Sequence, residues 1–407
     1  MTTVELPTVD LAAILAAREL LQGISRITPL EGSRPLSLAV GGPVSLKCEN
    51  LQRTGSFKIR GAYVRIAKLS DAERARGVVA ASAGNHAQGV ALAARLLGCE
   101  ATVFMPESAP LPKVEATKAY GAAVRMAGMT VDEALVEAAA WGEQHGSVLI
   151  HPFDHQDIVA GQGTVGLELL EQCPDVRTVV VSAGGGGLVA GIAVAVKTLR
   201  PDVKIVAVQA AGASSFAPSL QAGKPVPLST MSTMADGIAV GCPGVIPFQH
   251  VRDLVDRIAT VDEDALSRAL LMCLERAKLV VEPAGAAAVA ALMEDPSSFE
   301  PPVVAVLSGG NVDPVLLSKV IRHGMISAGR YLSLRVRIPD RPGGLAALLG
   351  VLAASGANVL DVEHQRTGRG LHQDEVEVDL QLETRGRDHG DQVVEQLQAS
   401  SYVVNPG

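Results

Sequence analysis

Three glycine-rich loops each come directly after a short apolar run, and this repeated arrangement limits the folds open to the chain. The loops cover residues 82–86, 184–188 and 308–311. An apolar run, a glycine loop and then a helical pattern are typical of a strand, a tight turn and a helix. The alternation extends from about residue 44 to about residue 320, so it predicts parallel sheets covered by helices.

That stretch is longer than a usual single core, so we expect two α/β lobes with a ligand in the cleft between them. The smaller lobe is expected over roughly residues 51–155. The predicted strands cover residues 77–82, 101–105, 178–182, 204–209 and 303–308, and the predicted helices cover 11–22, 86–97, 188–198 and 263–278.

The pattern changes after residues 326–329, where residues 331–338 begin to alternate apolar and polar side chains. Strands over 331–338, 358–365, 374–382 and 401–404 and helices over 344–355 and 389–398 give the order βαββαβ, a compact ferredoxin-like module. We therefore expect a catalytic domain over 1–326, a linker over 327–330 and a second domain over 331–407.

Composition excludes several classes of protein. The formal net charge of -8 and an aromatic content of 3% argue against a nucleic-acid partner. The five cysteines form no CxxC pair, which favours reduced thiols in the cytoplasm. The N-terminus lacks the basic region of a signal peptide. Residues 178–196 carry no charge, but four glycines interrupt them, so a strand, loop and helix fit better than a membrane span.

The chemistry is suggested by one amine among these loops. Lys58 lies between Phe57 and Ile59, and a lysine with apolar neighbours can lose its proton and form a Schiff base. Backbone N–H groups at a helix start bind phosphate, which suits the 184–188 loop, while the 82–86 loop suits a substrate carboxylate. Together they predict an aldehyde cofactor with a phosphate group, pyridoxal 5′-phosphate.

Each feature alone has an ordinary structural explanation. Lys58 could be a solvated surface lysine, and the glycine tetrad could be only a tight turn between a strand and a helix. Asn85 could be only a helix cap, and Ser308 only a turn residue. In a cofactor site, a neutral Ser308 hydroxyl at the pyridine nitrogen would leave the ring a weaker electron sink, which favours rapid β-elimination over transamination.

The motifs, taken in order, resemble the fold-type II threonine dehydratases (threonine ammonia-lyases) from about residue 10 onward. They are SFKIRG at 56–61, ASAGNHAQG at 81–89, GGGGL at 184–188, ADG at 235–237, EPAG at 282–285 and SGGN at 308–311. The tail carries DRPGGL at 340–345 and resembles an ACT regulatory domain. A single such module is similar to the medium-length form of the family.

The resemblance implies roles for individual residues. Lys58 would hold the cofactor as a Schiff base and serve as catalytic base, with Phe57 against the ring and Asn85 at its 3′-oxygen. The phosphate would be bound by Gly184, Gly185, Gly186, Gly187 and Leu188, with Ser308 at the pyridine nitrogen. The substrate carboxylate would be bound by Ser82, Ala83, Gly84, Asn85 and His86. An amino-acid effector would be bound by Arg341, Gly343, Gly344 and Leu345.

The implied reaction is deamination of L-threonine to 2-oxobutanoate and ammonia, with L-serine as a slower substrate. Ala83 stands where related serine racemases carry a second serine, which favours elimination. Residues 209–215 lack the carboxylates through which those racemases bind a divalent metal, so no metal is expected. A racemase, a β-replacing synthase of the same fold and a catalytically inactive amino-acid sensor remain alternatives. A homodimer or homotetramer is expected.

Overall fold

The computed structural model describes residues 8–366 and 374–406 and separates the chain into two compact units that divide between Leu317 and Ser318. The strands of the first unit are β1 (Leu30–Gly32), β2 (Val44–Lys47), β3 (Val78–Ala81), β4 (Ala101–Met105), β5 (Ala123–Met126), β6 (Val148–Leu149), β7 (Thr178–Ser182), β8 (Lys204–Ala210), β9 (Arg257–Val261) and β10 (Val303–Val306). The helices up to the division are α1 (Leu11–Leu20), α2 (Arg34–Val40), α3 (Lys58–Ala67), α4 (Asp71–Ala75), α5 (Asn85–Leu96), α6 (Leu111–Ala119), α7 (Val131–His145), α8 (Gln156–Gln172), α9 (Gly187–Leu199), α10 (Phe216–Ala222), α11 (Val245–Leu254), α12 (Glu263–Met272), α13 (Pro283–Glu294) and α14 (Pro314–Ser327), of which the last crosses it.

These strands form two sheets, with the orders β1-β2-β10-β7-β8-β9 and β5-β4-β3-β6. The expected pair of α/β lobes is therefore confirmed. All the pairings are parallel except that of β1 with β2, which is antiparallel and was not predicted. The reason is the short connection through α2, since a parallel crossover needs a longer one.

Apolar side chains explain why both sheets are buried. Every residue of β3, β7 and β10 is buried, as expected for strands covered by helices on both faces. Helix α9 is apolar almost throughout and packs against α8 in the core of the larger sheet. The uncharged run 178–196 is thus divided into β7, the glycine loop and most of α9, as predicted. Among the described residues, no helix is long and apolar enough to cross a membrane.

One predicted helix differs from the observed one. Residues 263–278 form α12 only as far as Met272, and a π-helical turn, Cys273–Ala277, follows it. Lys278 then takes a left-handed conformation with φ of 61° and ends the turn. The apolar pattern continues through the turn, so it could not reveal where the hydrogen bonding changes.

The second unit contains β11 (Tyr331–Pro339), α15 (Gly344–Ser355), β12 (Asn358–Gln365), β13 (Glu375–Glu383), α16 (Arg387–Ala399) and β14 (Val403–Pro406). Its strands form an antiparallel sheet with the order β12-β13-β11-β14. Alternate residues of β13 are buried against both helices, as the period-two pattern predicts. The predicted βαββαβ module is therefore confirmed.

Candidate active site

A cavity of about 770 Å³ lies in the first unit, and elements of both lobes form its wall. The structure brings together here all the residues that the sequence predicts for the cofactor and the substrate. Lys58 and Phe57 come from the start of α3, and the 82–86 and 184–188 loops follow β3 and β7. Ser308 follows β10. The loops after β7 and β10 meet because the carboxyl ends of parallel strands lie at the same edge of a sheet, and the loop after β3 of the other sheet faces them across the cavity.

Lys58 occupies the first turn of α3, close to its apolar neighbours. Its Nζ donates a hydrogen bond to the Pro152 carbonyl oxygen at 3.0 Å and lies 5.2 Å from the centre of the Phe57 ring. Burial lowers the pKa of Lys58 to about 8, although the negative charge of Glu282 opposes the shift. A sizeable fraction of this amine is therefore neutral near physiological pH, as a nucleophile or a base requires.

The glycine tetrad packs closely against two aromatic rings. A Cβ on Gly185 would come within 2.3 Å of Cγ of Phe153, and a Cβ on Gly186 within 2.7 Å of Cζ of Phe216. Gly186 also has φ of 97°, and Gly187 begins α9. Since the first N–H groups of a helix have no acceptor within it, this loop presents donors suited to a phosphate.

The 82–86 loop is organised around a serine and a helix start. The Gly84 N–H donates to Ser82 Oγ at 3.1 Å, and α5 begins at Asn85. His86 is buried, and its Nε2 lies 2.8 Å from the Ile150 carbonyl oxygen, so that nitrogen carries the donated hydrogen. Burial lowers the pKa of His86 to about 3 and keeps the ring neutral. His86 is among the residues that line the cavity, and its imidazole is engaged by the Ile150 carbonyl oxygen.

Ser308 also lines the cavity, and its Oγ is 3.0 Å from Ser182 Oγ. Both serines are buried, and both line the cavity. Its hydroxyl is paired with another hydroxyl rather than with a carboxylate, so it is a neutral group at this position. The wall thus contains an amine, a glycine loop, a second helix start and a hydroxyl, and this set fits pyridoxal phosphate.

Asn85 is held between two other side chains. Its Oδ1 accepts from Asn311 Nδ2 at 2.8 Å, and its Nδ2 donates to Glu282 Oε1 at 2.5 Å. Burial, together with the negative charge of Asp236, raises the pKa of Glu282 to about 7. Positive charges on Lys113 and Lys58 and the hydrogen bond from Asn85 act in the opposite direction.

Lys113 of α6 forms an ion pair with Asp236, which lies in a turn of the larger lobe. Both residues line the cavity, so the pair joins its two sides. Lys113 also lies over the 82–86 loop, since a Cβ on Gly84 would be 3.6 Å from its Nζ. We refer to Lys58, Lys113, Asp236 and Glu282 as the cavity group.

A second set of charged side chains, here called the quartet, consists of Lys47, Glu49, Arg60 and Glu168. Arg60 follows Lys58 on α3 and is fully buried. It donates to both oxygens of Glu49 at 2.8 Å, and its Nη1 lies 2.6 Å from Glu168 Oε1. Lys47 Nζ lies 2.6 Å from Glu168 Oε2. The quartet joins β2, α3 and α8 beneath the turn that carries Lys58.

The residues predicted for an effector lie in the second unit. Arg341, Gly343 and Leu345 line a cavity of about 340 Å³, whereas Gly344 begins α15 beside it. The Gly344 N–H donates to the Arg341 carbonyl oxygen at 3.1 Å, so this N–H is already satisfied. His364 and Arg366 of the neighbouring strand region also line the cavity, and the sequence did not indicate them.

Metal-ligand clusters of His, Cys, Asp or Glu are absent from residues 8–366 and 374–406. In the 209–215 stretch, Gln209 is fully buried, and its Oε1 accepts from the Phe216 N–H at 2.9 Å. This carboxamide therefore organises the turn before Phe216, whose ring lies beside Gly186 of the glycine loop.

Four residues that line the cavity, and Asn311, which contacts Asn85, were missed at the level of sequence. Glu282, Asn311 and Asp236 stood in recognised motifs without a role, while Lys113 lay in an ordinary mixed helix. Phe153 could have been suspected only from the need to fill space beside four glycines. Tertiary contacts, which no local pattern records, bring these side chains to the cavity or, for Asn311, to Asn85.

Comparison with known proteins places the chain among others of this architecture. The family described as pyridoxal-phosphate dependent enzyme matches residues 21–309, and the ACT domain family matches residues 332–400. The chain is 44% identical over 396 residues to the L-threonine ammonia-lyase of Thermotoga maritima, covering 97% of this chain and 99% of that one.

Two solved structures are similar to the catalytic unit. Maize serine racemase matches with a TM-score of 0.73 and 38% identity, covering 77% of this chain and 97% of that one. The processed form of threonine deaminase isoform 2 from Solanum lycopersicum matches with a TM-score of 0.72 and 37% identity, covering 79% of this chain and 96% of that one.

Proposed function

Because the chain belongs to the pyridoxal-phosphate dependent enzymes, we propose that it is a threonine ammonia-lyase, which converts L-threonine to 2-oxobutanoate and ammonia. A relative that matches nearly the whole chain has this activity in its name. The observation that carries the proposal is that Lys58, both anion-binding loops and Ser308 line the same cavity.

Bound pyridoxal phosphate supplies an electron sink for the negative charge that develops at the carbon bearing the amino group. The residues that would hold the cofactor are Lys58 at its aldehyde, Phe57 against the ring, Asn85 at the ring oxygen and Ser308 at the ring nitrogen. The 184–188 loop would bind its phosphate. Pyridoxal phosphate is the cofactor of the matching family, whereas these individual roles are part of our proposal.

Lys58 Nζ would accept the proton from the α-carbon of the substrate. Its pKa of about 8, lowered by burial, allows the amine to take up and return a proton near neutral pH. The 82–86 loop would orient the substrate through its carboxylate, using the backbone N–H groups at the start of α5. Lys113 lies above this loop and adds a positive charge on the same side.

Elimination is favoured over racemisation by the side chains around the 82–86 loop. Ala83 carries no hydroxyl that could return a proton to the opposite face of the α-carbon, and Ser82 Oγ accepts from the Gly84 N–H. L-Serine would also be deaminated, because one methyl group in a pocket changes kcat/KM by only about 10–200-fold.

Substitution of the lysine tests the proposal. Lys58→Ala should abolish both the visible absorbance of the bound cofactor and the release of 2-oxobutanoate from L-threonine, because no other amine takes its place. Lys224→Ala, at an exposed lysine, is the matched control and should retain both. A Lys58→Ala enzyme that kept its absorbance band and its activity would contradict the proposal.

Further expectations concern assembly, location and regulation. The protein would be a homodimer or homotetramer in the cytoplasm, since β12 is an edge strand that can pair with another copy and all five cysteines are free thiols. An amino acid would bind the cavity beside Arg341. Titration of isoleucine and valine against wild-type enzyme and Arg341→Ala, with activity as the signal, would locate an effector there if only the wild type responds.

A further inference from the structure

The Asn85 side chain can face the cavity in two ways. A carboxamide presents an accepting oxygen on one side and a donating NH₂ group on the other, and a turn of the group exchanges them. Which side faces the cofactor decides whether Asn85 donates to the ring oxygen or repels it. The surrounding hydrogen bonds determine the answer.

Asn311 fixes the oxygen of this carboxamide. Asn311 Nδ2 donates to the Thr54 backbone carbonyl oxygen at 2.6 Å and to Asn85 Oδ1 at 2.8 Å. A backbone carbonyl can only accept, so the Asn311 NH₂ group must face Thr54. The same NH₂ group faces Asn85, and therefore Oδ1 of Asn85 is the atom directed at Asn311.

Glu282 fixes the nitrogen. Its Oε1 accepts from Asn85 Nδ2 at 2.5 Å, and its side chain is buried. The backbone of Glu282 is fixed as well, because its N–H donates to the Gly309 carbonyl oxygen at 3.0 Å where α13 begins. A Cβ on Gly309 would lie 2.3 Å from Oε1, so only glycine leaves room for this oxygen.

We propose that Glu282 and Asn311 are positioning residues that hold the Asn85 amide in one orientation, with its second N–H available to the oxygen on the cofactor ring. The inference rests on the proposed function, since it concerns the same cofactor. It explains why the motifs at 282–285 and 308–311 accompany the 81–89 motif. One contributes the acceptor for Asn85 and the other the donor.

Cofactor affinity and the absorbance maximum of full-length protein test this inference, with equilibrium dialysis of pyridoxal phosphate as the primary measurement. Asn85→Ala should raise the dissociation constant about tenfold, the effect of one lost hydrogen bond. Glu282→Leu should raise it to a similar extent by releasing the amide. The double variant should bind no more weakly than either single variant, because Glu282 acts through Asn85.

The conservative variant separates positioning from charge. Glu282→Gln keeps an oxygen that can accept from Asn85 Nδ2, so its affinity should stay within about threefold of the wild type. Asn311→Ala should weaken binding like Glu282→Leu, which provides a second route if the leucine variant does not fold. Glu171→Leu, an exposed glutamate on α8, is the matched control and should bind normally.

Full additivity of the Asn85 and Glu282 losses, or normal binding by both Glu282→Leu and Asn311→Ala, would overturn the inference. A wild-type protein that binds no cofactor would instead overturn the proposed function. The thermal unfolding midpoint of each apoprotein shows whether a loss of binding reflects a loss of fold.

Discussion

The quartet and the cavity group contain the same kinds of charge in opposite circumstances. Each has two cations and two carboxylates. In the quartet, each cation lies within 2.8 Å of a carboxylate oxygen. In the cavity group only Lys113 and Asp236 form an ion pair. Lys58 donates to a carbonyl oxygen, and Glu282 accepts from an amide.

The difference in pairing decides how the groups ionise. Burial disfavours the charge on Glu49, but Arg60 holds the pKa of Glu49 below its usual value. For Lys58 and Glu282 burial prevails, and their pKa values approach each other at about 8 and about 7. The quartet, whose charges are fully paired, therefore has a structural role. Lys58 and Glu282 of the cavity group lack such pairing and can exchange protons near neutral pH.

The same chemical change should therefore have opposite effects in the two sets. Glu49→Gln should lower the free energy of unfolding by about 3–5 kcal/mol, because it leaves Arg60 buried without its bidentate partner. Denaturant unfolding of the full-length apoprotein at pH 7 measures this loss. The effect should diminish in acid, since stability that depends on a lowered carboxyl pKa is lost as the pH falls through that pKa.

A control at the surface separates burial from charge. Arg252 and Asp253 form an exposed ion pair on α11, and Arg252→Met should change the free energy of unfolding by less than about 1 kcal/mol. If Glu49→Gln were as mild as this control, the quartet would contribute no more than a surface pair.

Glu282→Gln should stabilise the apoprotein by up to about 3 kcal/mol at pH 7 to 8, because it removes a buried charge that lacks full compensation. The pKa of Glu282 is raised from 4.5 to about 7, so the contribution of this group to stability is fully present below 4.5 and is lost as the pH rises to 7. Unfolding of both proteins between pH 4.5 and pH 8 measures the gap, which should open across this range. A gap independent of pH would contradict the assignment.

Asp236→Asn should produce the smallest effect. Its side chain is half-exposed in the pair with Lys113, so the free energy of unfolding should change by less than about 1 kcal/mol. Since the charge of Asp236 raises the pKa of Glu282, the gap between Glu282 and Glu282→Gln should reach its plateau at a lower pH, and be smaller, in the Asp236→Asn background. An unchanged gap would show that the two carboxylates do not interact.

The sequence predicts the lobes and the position of the cavity because those depend on local patterns. Apolar runs ending in glycine locate β7 and β10, and alternation locates β13. The quartet was not predicted, although Arg60 stands two residues from Lys58 in the same motif. Its partners lie on β2, on a turn and on α8, and the sequence contains no signal that joins them.

The cofactor and substrate loops were predicted from the sequence, whereas the side chains that support them were not. Glycines and helix starts act through the backbone, whose position follows from the local fold. Glu282, Asn311 and Lys113 act through their side chains, so their role depends on which elements pack together. The π-helical turn before Glu282 was missed because it is a change of backbone hydrogen bonding that residue type does not show.

The fit between Gly185 and Phe153 has an evolutionary consequence. With Cγ of Phe153 only 2.3 Å from the place of a Cβ, alanine at 185 requires Phe153 to move or to be replaced by a smaller side chain, and a smaller side chain at 153 removes this contact. The two positions should therefore change together among diverging descendants of this chain, with the reduction at 153 arising first. Correlated substitution at 153 and 185 would reveal a steric constraint, whereas glycine at 185 viewed alone would be explained by phosphate binding.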